Sequence, residues 1–305
     1  SRDEVLERLS MVTVDCHLHL GVIDQHTPSW WWWEQFGFEP VSIDGAAIVE
    51  FLDSAGLDVG MVQGGDIRRN TFNPDNPHDR NMHVPNEFTA RQCEMYPDRL
   101  YGVIGVDPLL DVEESLHEID RCVEEYDFRV LKLLPTYHHY RPDDRRLDPF
   151  YERCLFHDIP VQIHLGWTRT INTTMEHQRP VYLDRIGREF PDLKLIVAHL
   201  GHPWVDEGIA VVAKHPNFYT EMSGWAAHGM APHQPVEEIY KALKKLKYYN
   251  CLDKVMFGSD NSDCVDIYPL ANEMSYEQDG VELYNKETLS RVMGGTAAEL
   301  FKIKS

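Results

Sequence analysis

Two patterns of hydrophobic and polar residues alternate along this chain. Short apolar runs rich in β-branched residues indicate buried strands, and the amphipathic stretches of about ten to fifteen residues between them indicate helices. Eight strand–helix pairs are predicted. The predicted strands cover residues 12–19, 58–64, 101–106, 129–134, 160–164, 193–199, 217–223 and 254–260. The predicted helices cover residues 44–54, 84–96, 112–123, 148–157, 179–190, 203–214, 236–247 and 286–301.

This repeated pairing predicts one domain over residues 1–305, folded as a parallel (β/α)8 TIM barrel. No low-complexity linker or internal sequence repeat divides the chain. Two connections are longer than a barrel needs, residues 21–43 with four successive tryptophans (Trp30–Trp33) and residues 65–83. We expect both to form a rim or lid beside the active face, because long loops in this position usually carry function.

Polar side chains occur where the predicted strands end. Asp15, His17 and His19 alternate along the first strand, so simple alternation predicts that they share one face. The fifth, sixth and eighth strands end in His164, His199 and Asp260. Because the carboxyl ends of barrel strands form a single rim, these side chains should converge there. Imidazole and carboxylate groups are ligands of divalent metals such as zinc and manganese, so the sequence predicts a metal site.

Composition narrows the class of protein. A hydrophobic content of 43% over 305 residues is ordinary for a globular domain, and no apolar run approaches the roughly 20 residues that cross a bilayer. The formal net charge of -21 argues against nucleic acid or anionic membrane as a partner. No basic leader precedes an apolar core at the start, and six scattered cysteines favour reduced thiols. We therefore expect a cytoplasmic protein that acts on a small molecule.

These motifs together resemble the amidohydrolase superfamily, and most closely its branch of aminocarboxymuconate-semialdehyde-decarboxylase-like and amidohydrolase family 2 proteins. The likeness rests on Asp15-x-His17-x-His19, His164, His199-Leu-Gly and Gly258-Ser-Asp260. It covers nearly the whole chain, including residues 130–135, 217–225 and 292–301. The resemblance implies a distorted TIM barrel with one divalent ion, commonly zinc and in some members manganese. Relatives are often dimers, so it also leaves a homodimer open.

Carried over residue by residue, the resemblance implies that His17, His19, His164 and Asp260 ligate the metal. It places His199 beside the ion as a general acid or base, and Asp260 could also take a proton from the bound water. Lys132 stands where dinuclear relatives carry a carbamylated lysine, but the branch resembled here has one metal. Lys132 is therefore expected to contact substrate or to form a structural ion pair.

Several further side chains near strand ends are candidates for substrate contacts. Arg68 and Arg69 could bind a substrate carboxylate with paired hydrogen bonds, although solvated loop arginines are the plainer alternative. The other candidates in this group are Lys132, Trp167, His202 and Trp225, with Glu221 and Ser223 as further residues that could line the pocket. His138, His139, His228 and His233 lie on predicted loops and are expected at the surface.

Two chemistries fit this ligand set. The leading expectation is a hydrolase in which metal-activated water attacks an ester, an amide or a carbon–carbon bond next to a carbonyl. The alternative is non-oxidative decarboxylation of an unsaturated or aromatic acid, with the metal holding substrate oxygens. A third hypothesis, an inactive barrel used for binding, is disfavoured because every ligand position is filled. Phosphate-binding G-x-x-x-x-G-K-S/T and nucleophile G-x-S-x-G motifs are absent from the sequence.

Overall fold

The computed structural model describes residues 12–26, 41–68, 82–168, 170, 173–225, 235–261, 265 and 267–304. The tryptophans Trp30–Trp33 and most of the second long loop, including Arg69, lie outside the described residues. The same holds for His228, His233 and Cys264.

Eight parallel strands form the wall of a barrel, as the strand–helix alternation predicts. They are β1 (Val14–His19), β2 (Val59–Gln63), β5 (Leu100–Gly105), β6 (Leu131–Leu133), β7 (Val161–Ile163), β8 (Leu195–Val197), β9 (Phe218–Glu221) and β10 (Val255–Met256). They pair in the order in which they are named, from β1 to β10. The amide of Cys16 donates to the carbonyl oxygen of Phe257 at 3.0 Å, which joins the two ends of the sheet. The predicted TIM barrel is confirmed.

A short antiparallel hairpin stands apart from the barrel wall. Its strands are β3 (Gly65–Asp66) and β4 (His83–Val84), and they bound the second long loop. The hairpin was not predicted, because two-residue strands leave no periodic pattern in a sequence.

A four-residue helical turn, Pro135–His138, follows β6, and ten further α-helices of the described residues surround the barrel wall. They are α1 (Gly45–Ala55), α2 (Asn86–Met95), α3 (Val112–Tyr126), α4 (Asp148–His157), α5 (Leu183–Glu189), α6 (Val205–Lys214), α7 (Pro235–Tyr248), α8 (Ile267–Asp279), α9 (Lys286–Ser290) and α10 (Thr296–Leu300). A π-helical turn, Arg291–Gly295, joins α9 and α10 along the predicted last helix. Helix α8 is absent from the sequence prediction, because its few apolar residues do not repeat at clear helical spacing.

Local capping explains where α1 begins and ends. The side chain of Asp44 accepts a hydrogen bond from the amide of Ala47 at 3.0 Å, as expected of an N-cap aspartate. Gly56 follows the helix with φ of 71°, in the left-handed region that glycine adopts without strain. Both signals are visible in the sequence.

The core has an inner part and an outer part. Residues that point into the barrel, such as Val103, Ile196 and Met256, form one cluster with the C-terminal residues Ala297 and Phe301. The alternate residues of each strand pack outward against the helices in a larger cluster. Lys132 lies between residues 131 and 133, which both face outward. The alternation along the strand therefore directs the Lys132 side chain into the barrel.

Strand β1 departs from simple alternation. Its pairing with β2 shifts register between Asp15 and Leu18, so Val14 belongs to the inner cluster whereas Leu18 belongs to the outer one. The prediction that Asp15 shares a face with His17 and His19 is therefore wrong, because an irregularity in a strand reverses the sides on which later residues point.

The structure provides evidence on the state of the cysteines and on membrane-spanning helices. The five described cysteines are all free, as expected of reduced thiols. None of the helices in the described ranges combines the length and hydrophobicity that a membrane span needs. The cytoplasmic location, the homodimer and the extent of the domain stay predictions.

Truncating an outward-facing barrel residue should destabilise the fold. Leu195 in β8 has no exposed surface, so Leu195→Ala should lower the free energy of unfolding by about 2–5 kcal/mol through lost burial and a residual cavity. Denaturant titration measures this change. The control is Leu110→Ala, because Leu110 is 51% exposed and should lose little. Equal effects of the two changes would contradict this account of the core.

Candidate metal centre

Three predicted ligands come together at the end of β1. The Nε2 atoms of His17 and His19 lie 3.2 Å apart. The Oδ1 atom of Asp260 lies 3.0 Å from His19 Nε2 and 3.7 Å from His17 Nε2. His17 is almost fully buried, whereas His19 keeps a third of its side-chain surface exposed. The cluster therefore faces the mouth of the barrel through His19.

The spacing of these three atoms fits a shared metal ion. Ligands bound at 2.0–2.1 Å lie about 3.3 Å apart around a tetrahedral ion. Neighbouring ligands at the same distance lie about 2.9 Å apart around an octahedral one. The observed separations of 3.0, 3.2 and 3.7 Å span these values. A divalent cation would also remove the repulsion between two imidazole lone pairs that point at each other.

Hydrogen bonds tie the segment after β10 to β1 and so deliver Asp260. The amide of Asp260 donates to the carbonyl oxygen of His17 at 2.9 Å. The Asn261 side chain pairs with both backbone groups of His19, at 2.7 and 2.8 Å. Asp15 Oδ1 accepts from the amide of Ser259 at 3.0 Å. Asp260 and Asn261 have φ of 55° and 60°, a conformation that these two residue types tolerate better than most.

Glu221, at the end of β9, orients the His17 ring. Its Oε1 lies 2.9 Å from His17 Nδ1 and also accepts from the amide of His199 at 3.0 Å. Burial by itself would raise the pKa of Glu221, but electrostatic attraction to the His17 ring and the hydrogen bond between them hold that pKa well below the usual range. An ionised Glu221 therefore fixes the proton of His17 on Nδ1, which leaves Nε2 free to bind a metal.

The sequence indicates Glu221 only as a residue that could line the pocket, and it does not reveal this orienting role. The available signal was the position of Glu221 within two residues of the end of the predicted strand 217–223. The same signal points to Gln63, the last residue of β2, whose side-chain nitrogen lies 3.1 Å from His19 Nε2. Tyr137 was also missed, and its ring lies 5.5 Å from that of His164 between centroids.

His164 and His199 form a second pair beside the first cluster. His199 Nδ1 donates to the carbonyl oxygen of Ser223 at 2.8 Å, so in the neutral ring Nε2 is an acceptor. That Nε2 lies 3.2 Å from His164 Nδ1, which must therefore carry the proton. The remaining nitrogen, His164 Nε2, is buried without a hydrogen-bond partner among the described residues and holds a lone pair. Burial lowers the pKa of both rings, which is consistent with neutral imidazoles.

Lys132 lies against the first cluster. Its Nζ is 3.2 Å from His17 Nε2, and the residue is only 2% exposed. Burial lowers the pKa of Lys132 to about 8. No carboxylate of the described residues lies within ion-pair distance of its Nζ, so the structural ion pair offered as one alternative is not observed in this part of the chain.

The other predicted contact residues differ in their surroundings. Arg68 is half exposed and makes a paired interaction with Asp66, at 2.8 Å from Nε and 2.5 Å from Nη2. Trp167 is 45% exposed after β7. Trp225 is 3% exposed, and its Nε1 donates to the carbonyl oxygen of His199 at 2.8 Å. Through this hydrogen bond, Trp225 fixes the position of the His199 backbone. Their contact with a substrate stays a prediction.

Two further predicted residues, His202 and His138, are histidines that lie in packed surroundings. The ring of His202 packs on that of Trp225, with centroids 4.6 Å apart. The expectation that His138 is a surface residue is wrong. His138 is 2% exposed, and its Nε2 donates to the carbonyl oxygen of Asp66. His138 ends the helical turn Pro135–His138, and its hydrogen bond joins this segment after β6 to the hairpin β3–β4.

Comparison with known proteins gives matches over most of the chain. The model of the family described as Amidohydrolase matches residues 14–303. A 2-keto-4-carboxy-3-hexenedioate hydratase from Sphingobium sp. (strain NBRC 103272 / SYK-6) is 27% identical over 252 residues, which cover 69% of this chain and 73% of the relative.

Two solved structures share the fold. An uncharacterized TIM-barrel protein from Bordetella bronchiseptica is 21% identical with a TM-score of 0.68, and the match covers 96% of this chain and 99% of that one. A 5-carboxyvanillate decarboxylase from Novosphingobium aromaticivorans DSM 12444, complexed with manganese and 4-hydroxy-3-methoxy-5-nitrobenzoic acid, is 16% identical with a TM-score of 0.68. That match covers 96% of each chain.

Removing a clustered ligand should release the metal. We expect about one divalent ion per chain in the purified protein, and most of it should be lost in His17→Ala and in Asp260→Ala, because each change removes one of three converging donors. Elemental analysis after dialysis measures this content. His117→Ala, on the exposed side of α3, is the control and should keep the ion. Full metal content in either site variant would exclude that residue as a ligand, and two ions per chain would revive Lys132 as a carbamylated bridge.

Proposed function

The chain belongs to the amidohydrolase family, whose model matches residues 14–303, and we propose that it is a metal-dependent carboxy-lyase. In this proposal the enzyme removes CO2, without oxidation, from a small unsaturated or aromatic acid. The observation that carries the proposal is the convergence of His17, His19 and Asp260 beside the His164–His199 pair.

The named relatives favour this reaction over the hydrolysis that the sequence led us to expect first. The Novosphingobium protein is named as a decarboxylase, and the Sphingobium relative as a hydratase of a carboxylated keto acid. Decarboxylation, the alternative reaction in the sequence analysis, is therefore better supported than hydrolysis. The third hypothesis, an inactive barrel, is set aside because the chain belongs to a family of enzymes.

Family membership supports a single divalent metal ion as the cofactor. We propose that His17, His19 and Asp260 hold it, and that His164 joins them through its unpaired Nε2. Manganese is named with the Novosphingobium structure, so we propose Mn²⁺ beside the Zn²⁺ that the sequence resemblance favours. When bound, such an ion supplies Lewis-acid polarisation of a substrate oxygen.

We propose that His199 supplies the proton that replaces the carboxylate group on the substrate carbon. Its backbone is held on two sides, by Glu221 at the amide and by Trp225 at the carbonyl, so its position is well defined. His199 Nε2 first takes a proton from solvent, which breaks its hydrogen bond with His164 Nδ1, and then passes that proton to the substrate carbon that bears the carboxylate. The carbon–carbon bond then breaks, CO2 leaves, its bonding electrons stay with the substrate, and solvent returns the proton to the ring.

Hydration of a carboxylated double bond is the second candidate. The observation in its favour is the Sphingobium hydratase, the relative that shares 27% identity over 69% of this chain. The same residues suit this reaction, since His199 would protonate one carbon while a water adds its hydroxyl group to the other and releases its remaining proton to solvent. The substrate would again be a small acid with a conjugated double bond.

Changing His199 should separate proton transfer from metal binding. His199→Asn keeps a hydrogen-bonding side chain but cannot carry the proton, so we expect unchanged metal content and a kcat lower by about 10²–10⁴-fold. Elemental analysis and steady-state rates measure the two effects, with His117→Asn as the control. A large loss of metal in His199→Asn would instead make His199 a ligand.

A substrate panel should identify the reaction. We expect CO2 release from aromatic or unsaturated acids and little turnover of esters, lactones or amides, with Mn²⁺ and Zn²⁺ each tested. Captured CO2, acid release and loss of conjugated absorbance are scored separately, with His17→Ala as the inactive control. Loss of absorbance without CO2 would favour hydration. Turnover confined to esters or lactones would overturn the lyase proposal in favour of hydrolysis.

A further inference from the structure

Gln63 is a buried polar residue of the barrel interior that the proposed reaction does not use. It is the last residue of β2 and is 1% exposed. Met61, two residues earlier on the strand, belongs to the inner cluster, so the alternation of side chains directs Gln63 inward as well. Gln63 pairs with His19 on β1 and with Val103 on β5. Its backbone is therefore held on both sides, and its contacts can change only through the side chain.

The side-chain amide of Gln63 lies at the metal cluster. Its Nε2 atom is 3.1 Å from His19 Nε2. The ligand atoms of His17 and Asp260 lie 3.2 and 3.0 Å from that same His19 nitrogen. Three side chains thus approach His19 Nε2 at the spacing that neighbouring ligands of one ion have, and Gln63 is one of them.

The hydrogen bond between Gln63 and His19 conflicts with a metal ion on His19. A ring nitrogen that is not protonated has one lone pair, and the Gln63 N–H group and the ion would share it. The N–H group is also the positive end of the amide dipole, so a cation at His19 repels it. The amide of Gln63 must therefore turn when His19 binds a metal.

A half-turn of this amide brings its oxygen to the cation. The terminal torsion of glutamine is soft, and the oxygen and nitrogen of the amide are nearly alike in size and shape. Rotation about that bond puts Oε1 about where Nε2 now lies, at ligand spacing from His19. In its present position Oε1 is buried and accepts no hydrogen bond from the described residues. A cation would supply the partner that this buried oxygen needs.

We propose that Gln63 Oε1 is a metal ligand and that it favours Mn²⁺ over Zn²⁺. This inference rests on the proposed metal site and adds a residue to it. The four ligands already proposed supply three imidazoles and one carboxylate, which is a complete set for tetrahedral Zn²⁺. An octahedral ion such as Mn²⁺ takes six ligands and suits a carbonyl oxygen. Gln63 supplies the fifth of these and leaves one position open to substrate.

Metal titration of the full chain tests this role without a substrate. Protein dialysed free of metal is titrated with Mn²⁺, the free ion is followed by electron paramagnetic resonance, and Zn²⁺ affinity is measured by competition with a chelator. We expect Gln63→Leu, which removes both polar atoms, to weaken Mn²⁺ binding about tenfold or more and to change Zn²⁺ binding little. Gln63→Glu keeps an oxygen but has no N–H donor, and it should bind Mn²⁺ at least as tightly as the parent.

The matched control is Gln162→Leu, the same substitution at a second buried glutamine. Gln162 is 2% exposed and lies on β7 between Val161 and Ile163, which both pack outward, so it also points into the barrel. Its Nε2 makes no hydrogen bond to the described residues. Both metal affinities should stay at the parent values in this variant. Thermal melting of every variant checks that it folds.

The results separate this inference from the metal site on which it rests. A parent protein that binds neither ion would overturn both, whereas a parent that binds Zn²⁺ alone would overturn only the role of Gln63. Unchanged Mn²⁺ binding in Gln63→Leu, or equal losses of the two ions, would also remove Gln63 from the ligands. A loss of Mn²⁺ in Gln63→Glu as large as in Gln63→Leu would show that Gln63 acts through its N–H group instead.

Discussion

The seam between β1 and the segment after β10 is the contact on which the candidate site depends. His17 and His19 come from the start of the barrel and Asp260 from its last strand, so their ligand atoms meet only where the sheet closes on itself. Backbone and side-chain hydrogen bonds hold that seam in register, from Ser259 on Asp15 to Asn261 on His19. A barrel that failed to close would separate the ligands while leaving each strand intact.

The charges buried at this seam call for a cation. Glu221, Asp15 and Asp260 bring three carboxyl groups to one end of the barrel, and Lys132 is the nearest positive side chain that the described residues provide. Burial raises the pKa of Asp15 to about 7, so that group moves toward its neutral form, while Glu221 stays ionised against His17. Burying a charged group without a partner costs free energy. A bound divalent ion would offset that cost directly for Asp260, and it would offset it for Glu221 through the His17 ring that links Glu221 to the ion.

The metal centre combines rigid strand positions with the segments that follow strands. His17 and His19 belong to β1, whereas His164 and Asp260 lie in the segments after β7 and β10. Glu221 and His199 are buried, and each is held by more than one hydrogen bond, which suits chemistry that needs fixed positions. The loops beyond these positions can vary without disturbing the barrel wall.

The sequence by itself determined the barrel and the caps of α1, because periodicity and capping are local features of a chain. It also placed His17, His19, His164, His199 and Asp260 where strands end, and the family resemblance selected all of these except His199 as candidate ligands. It did not determine the register shift in β1, the orienting bond from Glu221 to His17 or the burial of His138. Each of these depends on atoms that belong to other strands or loops. Only the closed barrel decides which side chains become neighbours, since contacts between residues hundreds of positions apart leave no periodic trace in the sequence.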